Sequence, residues 1–289
     1  MMTTKKIGIL HPGNMGVSVA ASAAAGGNDV TWASEGRSDA TCARANEHKL
    51  IDAGSLAALC ETCSILLSVC PPHASEDVAS EVLDLGFRGL FVDANAISPD
   101  RTRRIGDRVT AAGATFVDGG IVGGPAWEPG TWLYLSGPTE AATEIAALFA
   151  DGLLETAVIG TEVGKASALK MCYAAYTKGT SALLSAILAT AEALDVREDL
   201  ETQWSREDPE FAERTRRRTR RVTAKAWRFI GEMDEIAATF QSSGLPGGFH
   251  EAAAEIYRRM DSLEKAEELP SLDEVLSVLL DGESRSERS

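Results

Sequence analysis

The sequence predicts an α/β fold: a doubly wound sheet over residues 1–162, followed by an all-α carboxy-terminal domain over 163–281 that opens with a long interdomain helix. Three observations carry this expectation. Short apolar runs alternate with helical stretches through the first half of the chain, as a parallel doubly wound sheet requires. The first of those runs leads directly into a glycine turn and an alanine-rich segment. After about Leu194 the glycine and strand signals fade, and helical patterns continue to about Leu280. A length of 289 residues with an apolar fraction of 44% suits two domains better than one core.

The elements come in order along the chain. Residues 6–10 form a short apolar strand, succeeded by His11-Pro12-Gly13-Asn14-Met15-Gly16 and a helix to about Ala25. Such a Rossmann-type strand, glycine turn and helix start turns the backbone N–H groups of Gly13, Asn14, Met15 and Gly16, with the helix dipole, toward a pyrophosphate. Gly13 permits close approach and Gly16 close helix–strand packing, while the first glycine of the usual Gly-x-Gly-x-x-Gly is replaced by His11.

The second strand, 29–33, ends in Ser34-Glu35-Gly36-Arg37-Ser38. Arg37 flanked by Ser34 and Ser38 suits the 2′-phosphate of NADP, while Glu35 leaves NAD possible. Apolar strands at 64–70 and 89–93 end in Cys70-Pro71-Pro72 and in Ala94-Asn95-Ala96-Ile97-Ser98-Pro99. A strand at 115–118 leads into Gly119-Gly120-Ile121-Val122-Gly123-Gly124, and 132–137 is expected to close the sheet. Ligands of such sheets bind beyond the carboxyl ends of the strands. Cys70, Pro71 and Asn95 are therefore assigned to the cofactor, and Ser98, Gly123 and Gly124 to positioning nicotinamide and substrate.

From 165 to 194 the chain is rich in Ala, Leu and Ser and free of proline, which predicts one long helix. Lys170, Ala174 and Lys178 fall on one face at i, i+4 and i+8, with Tyr173 and Thr177 beside them. A lysine in an apolar cleft beside a nicotinamide has its charged form disfavoured, which suits a general acid or base. Lys170 is accordingly the candidate catalytic residue, against the alternative of a solvated lysine on a helix face.

A net charge of −15 argues against nucleic acid and anionic membrane as partners and favours a small-molecule substrate. No apolar run is long enough to span a bilayer and the start of the chain runs straight into a strand, so a cytoplasmic protein is expected. Five scattered cysteines suit reduced thiols. Cys60-Glu61-Thr62-Cys63 has the spacing of a metal pair but no second pair accompanies it, so no metal is expected.

In the carboxy-terminal half, the basic run from Arg214 to Arg221 is read as a solvated helix face neutralised by acidic neighbours. Trp227, Phe229, Met233, Ile236, Ala237 and Phe240 mark an apolar face at helical spacing. Glu232 and His250 are the polar residues of note there, and 282–289 reads as a disordered tail.

The glycine loop, the Asp93 to Pro99 segment, the Asp118 to Gly124 segment and the Lys170 helix occur in the order seen in the β-hydroxyacid dehydrogenase superfamily. That superfamily includes the 6-phosphogluconate and 3-hydroxyisobutyrate dehydrogenases and imine reductase relatives. The chain most resembles a branch whose carboxy-terminal domain has no known function, through His11 to Gly16, Ala168 to Met171, Tyr176 to Gly179, Trp227 to Met233 and Gly244 to His250. The resemblance implies an NADP-dependent dehydrogenase or reductase acting on a small carbonyl or hydroxy compound, with Lys170 as its acid or base. It further implies a homodimer, with substrate contacts from Ser98, Val122, Gly123, Gly124, Tyr173, Ala174 and His250. Val122 stands where the hydroxyacid enzymes carry a serine for the substrate carboxylate, and Ala174 where they carry an asparagine. The presence of Lys170 favours carbonyl chemistry over imine reduction, which Tyr173 or Tyr176 would assist. A nucleotide-binding protein without catalysis is the remaining alternative.

Overall fold

The computed structural model describes residues 5–264 and 268–281; the start of the chain and the tail expected to be disordered lie outside the described residues. The chain divides into two compact units, 1–171 and 172–289. The division falls inside a helix, nine residues beyond the boundary at 162 read from the sequence.

The first unit runs β1 (Lys6–Ile9), α1 (Asn14–Ala25), β2 (Asp29–Trp32), α2 (Asp39–Glu47), β3 (Ile51–Asp52), α3 (Leu56–Thr62), β4 (Ile65–Ser68), α4 (Ser75–Asp84) and β5 (Leu90–Asp93). It continues α5 (Pro99–Ala111), β6 (Thr115–Val122), β7 (Thr131–Ser136), α6 (Thr139–Ala147), β8 (Leu154–Gly160) and α7 (Lys165–Ala174). The eight strands form one sheet in the order β3-β2-β1-β4-β5-β6-β7-β8.

The strands read as unbroken apolar runs because both sheet faces are covered. Ile65, Leu67, Val92 and Val117 point to one face, where Val17, Ala20 and Ala23 of α1 and Ala142 and Ile145 of α6 meet them. Leu66, Phe91 and Phe116 alternate to the other, against Leu59 of α3, Val82 of α4 and Ile105 and Val109 of α5.

Three expectations are corrected. The strand expected to end at Asp118 continues through Gly119 and Gly120 to Val122. β7 does not close the sheet, since β8 pairs beside it, and its half-exposed sequence Leu-Glu-Thr-Ala-Val-Ile-Gly gives little apolar signal. β7 also runs antiparallel to β6, because the short loop from Gly123 to Gly130 cannot carry a crossover helix.

The second unit is helical. A π turn (Ala175–Gly179) follows α7 and precedes α8 (Thr180–Ala193), α9 (Arg197–Glu207), α10 (Phe211–Val222), α11 (Ala226–Ser242), α12 (Gly248–Met260) and α13 (Leu272–Asp281). Leu184, Leu188, Met233, Ile236, Tyr257, Met260, Val275 and Leu276 are among its buried apolar side chains. Trp227 leaves the expected apolar face of α11 and is 44% exposed, with the Arg228 guanidinium over its ring. On α10, Arg214 pairs with Asp208 and Glu210, Arg216 with the buried Glu201, and Arg220 donates to the Pro270 carbonyl. Among the described residues no helix is long and apolar enough to cross a membrane.

Candidate active site

The glycine loop is built to leave a helix start empty. Gly13 N donates to the His11 carbonyl (2.9 Å), turning the chain from β1 into α1. A Cβ on Gly16 would drive into that same carbonyl, so glycine is required for α1 to sit against the strand. A Cβ on Gly13 would meet nothing within 4 Å, so its absence opens the space in front of the helix. Whereas Ser38 and Ser55 cap α2 and α3, α1 has no side-chain cap and no acidic residue in its first turn. The first-turn N–H groups of Asn14, Met15 and Gly16 and the positive helix end are thereby reserved for an anion, which fits a dinucleotide pyrophosphate.

His11 fills the place of the missing glycine. Burial, with the Arg37 charge beside it, pushes its imidazolium pKa down to about 4, and its Nδ1 is buried without a hydrogen-bond partner among the described residues. Arg37 reaches back from the end of β2 so that Nη2 donates to the Leu10 carbonyl (3.1 Å). Its Nε is buried with no hydrogen-bond partner among the described residues. The Ser34 backbone N–H donates to the Asp52 carboxylate (3.2 Å), and Ser38 is committed to the α2 cap.

At the ends of β4 and β5, the Cys70 N–H donates to Asn95 Oδ1 (2.6 Å) and Asn95 Nδ2 donates to Ser68 Oγ (3.1 Å). The Cys70 and Asn95 loops are thus tied at one sheet edge, with Pro71 exposed beside them. Ser98 is buried at the N-cap of α5. Desolvation pushes the Cys70 thiol up to about 12, which keeps it unreactive.

Lys170 comes to the same edge from α7. Its Nζ donates to the carbonyl of Ile121, next to Val122, Gly123 and Gly124 at the end of β6. Gly123 has φ +128°, and a Cβ there would lie 2.7 Å from Thr131 Oγ1; Gly124 opens onto free space. Loop, strand ends and lysine therefore all belong to the first unit.

Two carboxylates belong to this edge to which the sequence patterns assign no role, although each opens one of the segments that carry the resemblance. Asp93 and Asp118 end neighbouring apolar runs and sit in register on β5 and β6. Both are buried, and burial pushes both carboxyls up, Asp93 to about 7. A carboxylate closing each of two apolar runs of the sequence was the available signal.

The remaining expected residues lie in the second unit. Tyr173 and Tyr176 are exposed and Ala174 is buried. A π turn over Ala175–Gly179 interrupts the single helix expected from 165 to 194. Lys178 pairs with the buried Glu232, 4.8 Å from the Phe229 ring centre. His250 packs edge-on between Phe240 and Phe249 with Nδ1 unpartnered among the described residues, and burial lowers its pKa. Among the described residues no three His, Cys, Asp or Glu side chains are grouped to hold a metal. Burial raises both the Cys60 and Cys63 thiols.

Two family models match the chain: the NAD binding domain of 6-phosphogluconate dehydrogenase over residues 6–160, and a domain of unknown function over 191–260. No curated protein matches. Among solved structures, a conserved protein of unknown function with structural similarity to 3-hydroxyacid dehydrogenases is 25% identical, at TM-score 0.66, with 96% of this chain and 100% of that one covered. 3-Hydroxyisobutyrate dehydrogenase from Mycobacterium tuberculosis is 16% identical at TM-score 0.72, covering 96% and 99%. An imine reductase variant from Myxococcus stipitatus in complex with NAD+ is 18% identical at TM-score 0.57, covering 96% and 100%.

Proposed function

Since this chain belongs to the family of the NAD binding domain of 6-phosphogluconate dehydrogenase, we propose that it is an NADP-dependent oxidoreductase acting on a small carbonyl or hydroxy compound, with Lys170 as its general acid or base. The observation that carries the reading is the Lys170 ammonium group held on the Ile121 carbonyl, at the sheet edge that bears the uncapped α1 start and the Asn95 loop. The bound nicotinamide would supply or accept the hydride. The chain's own part is to hold and release the accompanying proton at Lys170 Nζ, where a substrate oxygen could replace the Ile121 carbonyl as its hydrogen-bond partner.

The glycine loop would hold the pyrophosphate, and Arg37 with Ser34 the 2′-phosphate, which favours NADP over NAD. Val122 offers no side-chain hydrogen bond, so a substrate carboxylate would be met by the backbone of Gly123 and Gly124. The reading includes a homodimer through the helical unit, supported by the exposed Tyr176, Leu183, Leu245 and Phe249, and a cytoplasmic location, supported by five free cysteines.

The test is titration of NADPH and NADH fluorescence on wild type, Lys170→Ala and Arg37→Ala, followed by turnover on panels of 3-hydroxy acids, aldehydes and cyclic imines. Lys170→Ala is expected to bind NADPH as wild type does and to lose carbonyl turnover by about 10²–10⁴-fold. Arg37→Ala is expected to weaken NADPH and spare NADH. Undiminished turnover in Lys170→Ala, or turnover confined to imines, would remove the lysine from its assigned role.

A further inference from the structure

We infer that Asp118 is a positioning residue for Lys170, a carboxylate clamp that seats the start of α7 on β6. The inference rests on the role given to Lys170 above. A helix start leaves its first N–H groups without partners, and a side chain at the cap residue ordinarily takes them. The residue before α7 is Gly164, held at φ +97°, where a Cβ would lie 3.1 Å from Arg103 Nε and 3.3 Å from the Pro99 carbonyl. No side chain at the cap position can take the helix N–H groups, so the cap comes from another element.

Asp118 Oδ2 accepts from the backbone N–H groups of Gly164 (2.9 Å), Ala166 (3.0 Å) and Ser167 (3.1 Å), and from Ser136 Oγ on β7 (2.9 Å). Its Oδ1 accepts from Ser167 Oγ (2.6 Å), which in turn meets Thr102 Oγ1 on α5 at 2.8 Å. A buried carboxylate at a helix start is favoured by the helix dipole as well as by these bonds.

From that anchor the helix lies along the strand. A Cβ on Gly120 would stand 2.5 Å from the Ala166 carbonyl oxygen and 3.2 Å from Lys170 Cβ, so glycine permits the contact. One helical turn after Ala166, Lys170 returns to the strand at Ile121. Positions 118, 120 and 121 of β6 thus hold the first turns of α7 at fixed height, and the last contact is made by the ammonium group itself. Releasing the first leaves the lysine to wander, and an ångström of misplacement costs about 10²-fold in rate.

The experiment uses the full chain as wild type, Asp118→Ala, Asp118→Asn and Ser136→Ala. The acetylation rate of each lysine by N-hydroxysuccinimidyl acetate is read by mass spectrometry, with NADPH titration alongside. Asp118→Ala should acetylate Lys170 about tenfold faster, as local opening of α7 exposes it, while Lys178 keeps its wild-type rate. Asp118→Asn should return Lys170 to near the wild-type rate, because the amide oxygen can replace Oδ2. Ser136→Ala, the milder change, should give an intermediate rate and serves if Asp118→Ala fails to fold. A wild-type Lys170 rate in Asp118→Ala, or in Ser136→Ala where the former is insoluble, overturns the clamp, as does an Asn variant as fast as the Ala variant. Undiminished turnover in Lys170→Ala would overturn the catalytic role alone, since acetylation needs no substrate.

Discussion

Asp93 and Asp118 are side by side in register, yet their carboxyls live in opposite circumstances. Asp118 collects five donors, whereas Asp93 accepts the Asn95 N–H (2.9 Å) and leaves its buried Oδ2 with no hydrogen-bond partner among the described residues. Desolvation, with the Asp118 charge adding to it, pushes the Asp93 carboxyl up to about 7. The folded value lies above the unfolded one, so this group's contribution is fully present below about pH 4 and is lost as pH rises through 7. Asp93 alone should therefore take up to a few kcal/mol from the fold between about pH 4 and pH 7, against the opposite contribution of His11, whose lowered pKa favours the fold as pH rises, because a tenfold change in the acidity of one group corresponds to roughly 1.4 kcal/mol. Asp93→Asn should flatten that slope in urea denaturation; an unchanged slope would place the charge elsewhere. Lys170 becomes a candidate in the sequence through its place after a dinucleotide domain, but the contact that seats its helix leaves no such local sign. Asp118 lies 46 residues from Gly164, and no local pattern joins a carboxylate within a strand to a helix start that far along the chain.

The glycine loop separates two uses of the same residue type. Gly13 has ordinary extended angles (φ −69°, ψ −173°) and free space in front of it, so Gly13→Ala should fold normally and lose NADPH by filling the cradle. Gly16 faces the His11 carbonyl, so Gly16→Ala should lose NADPH and also destabilise the unit by about 1–3 kcal/mol. Thermal melts beside NADPH titration distinguish the two; equal melting temperatures for both variants would refute the packing argument. The loop was readable because turn, helix start and strand are contiguous. β8 was not, because at an edge its side chains are half exposed and its composition loses the apolar contrast. The π turn was equally hidden, since Ala175 to Gly179 has the composition of an ordinary helix.

At the scale of the whole molecule, every residue assigned to the cofactor lies in the first unit. Saturating NADPH should slow backbone hydrogen exchange at 6–37 and 66–98 and leave 197–260 unchanged, read by mass spectrometry. Protection confined to the helical unit would displace the cofactor site from the glycine loop. The alternation of apolar runs with helical stretches was enough, read alone, to predict the layered α/β unit, the helical unit after it, the glycine loop and the candidate lysine. Each of these depends on contiguous residues, whose periodicity and turn chemistry act over a few bonds. Folding settled the antiparallel β7, the extension of β6 through its glycines, the burial of His11 and Asp93, and the five-donor seat of Asp118. Those depend on which distant segments come to share a face, and burial and hydrogen bonding across such contacts have no trace in local sequence.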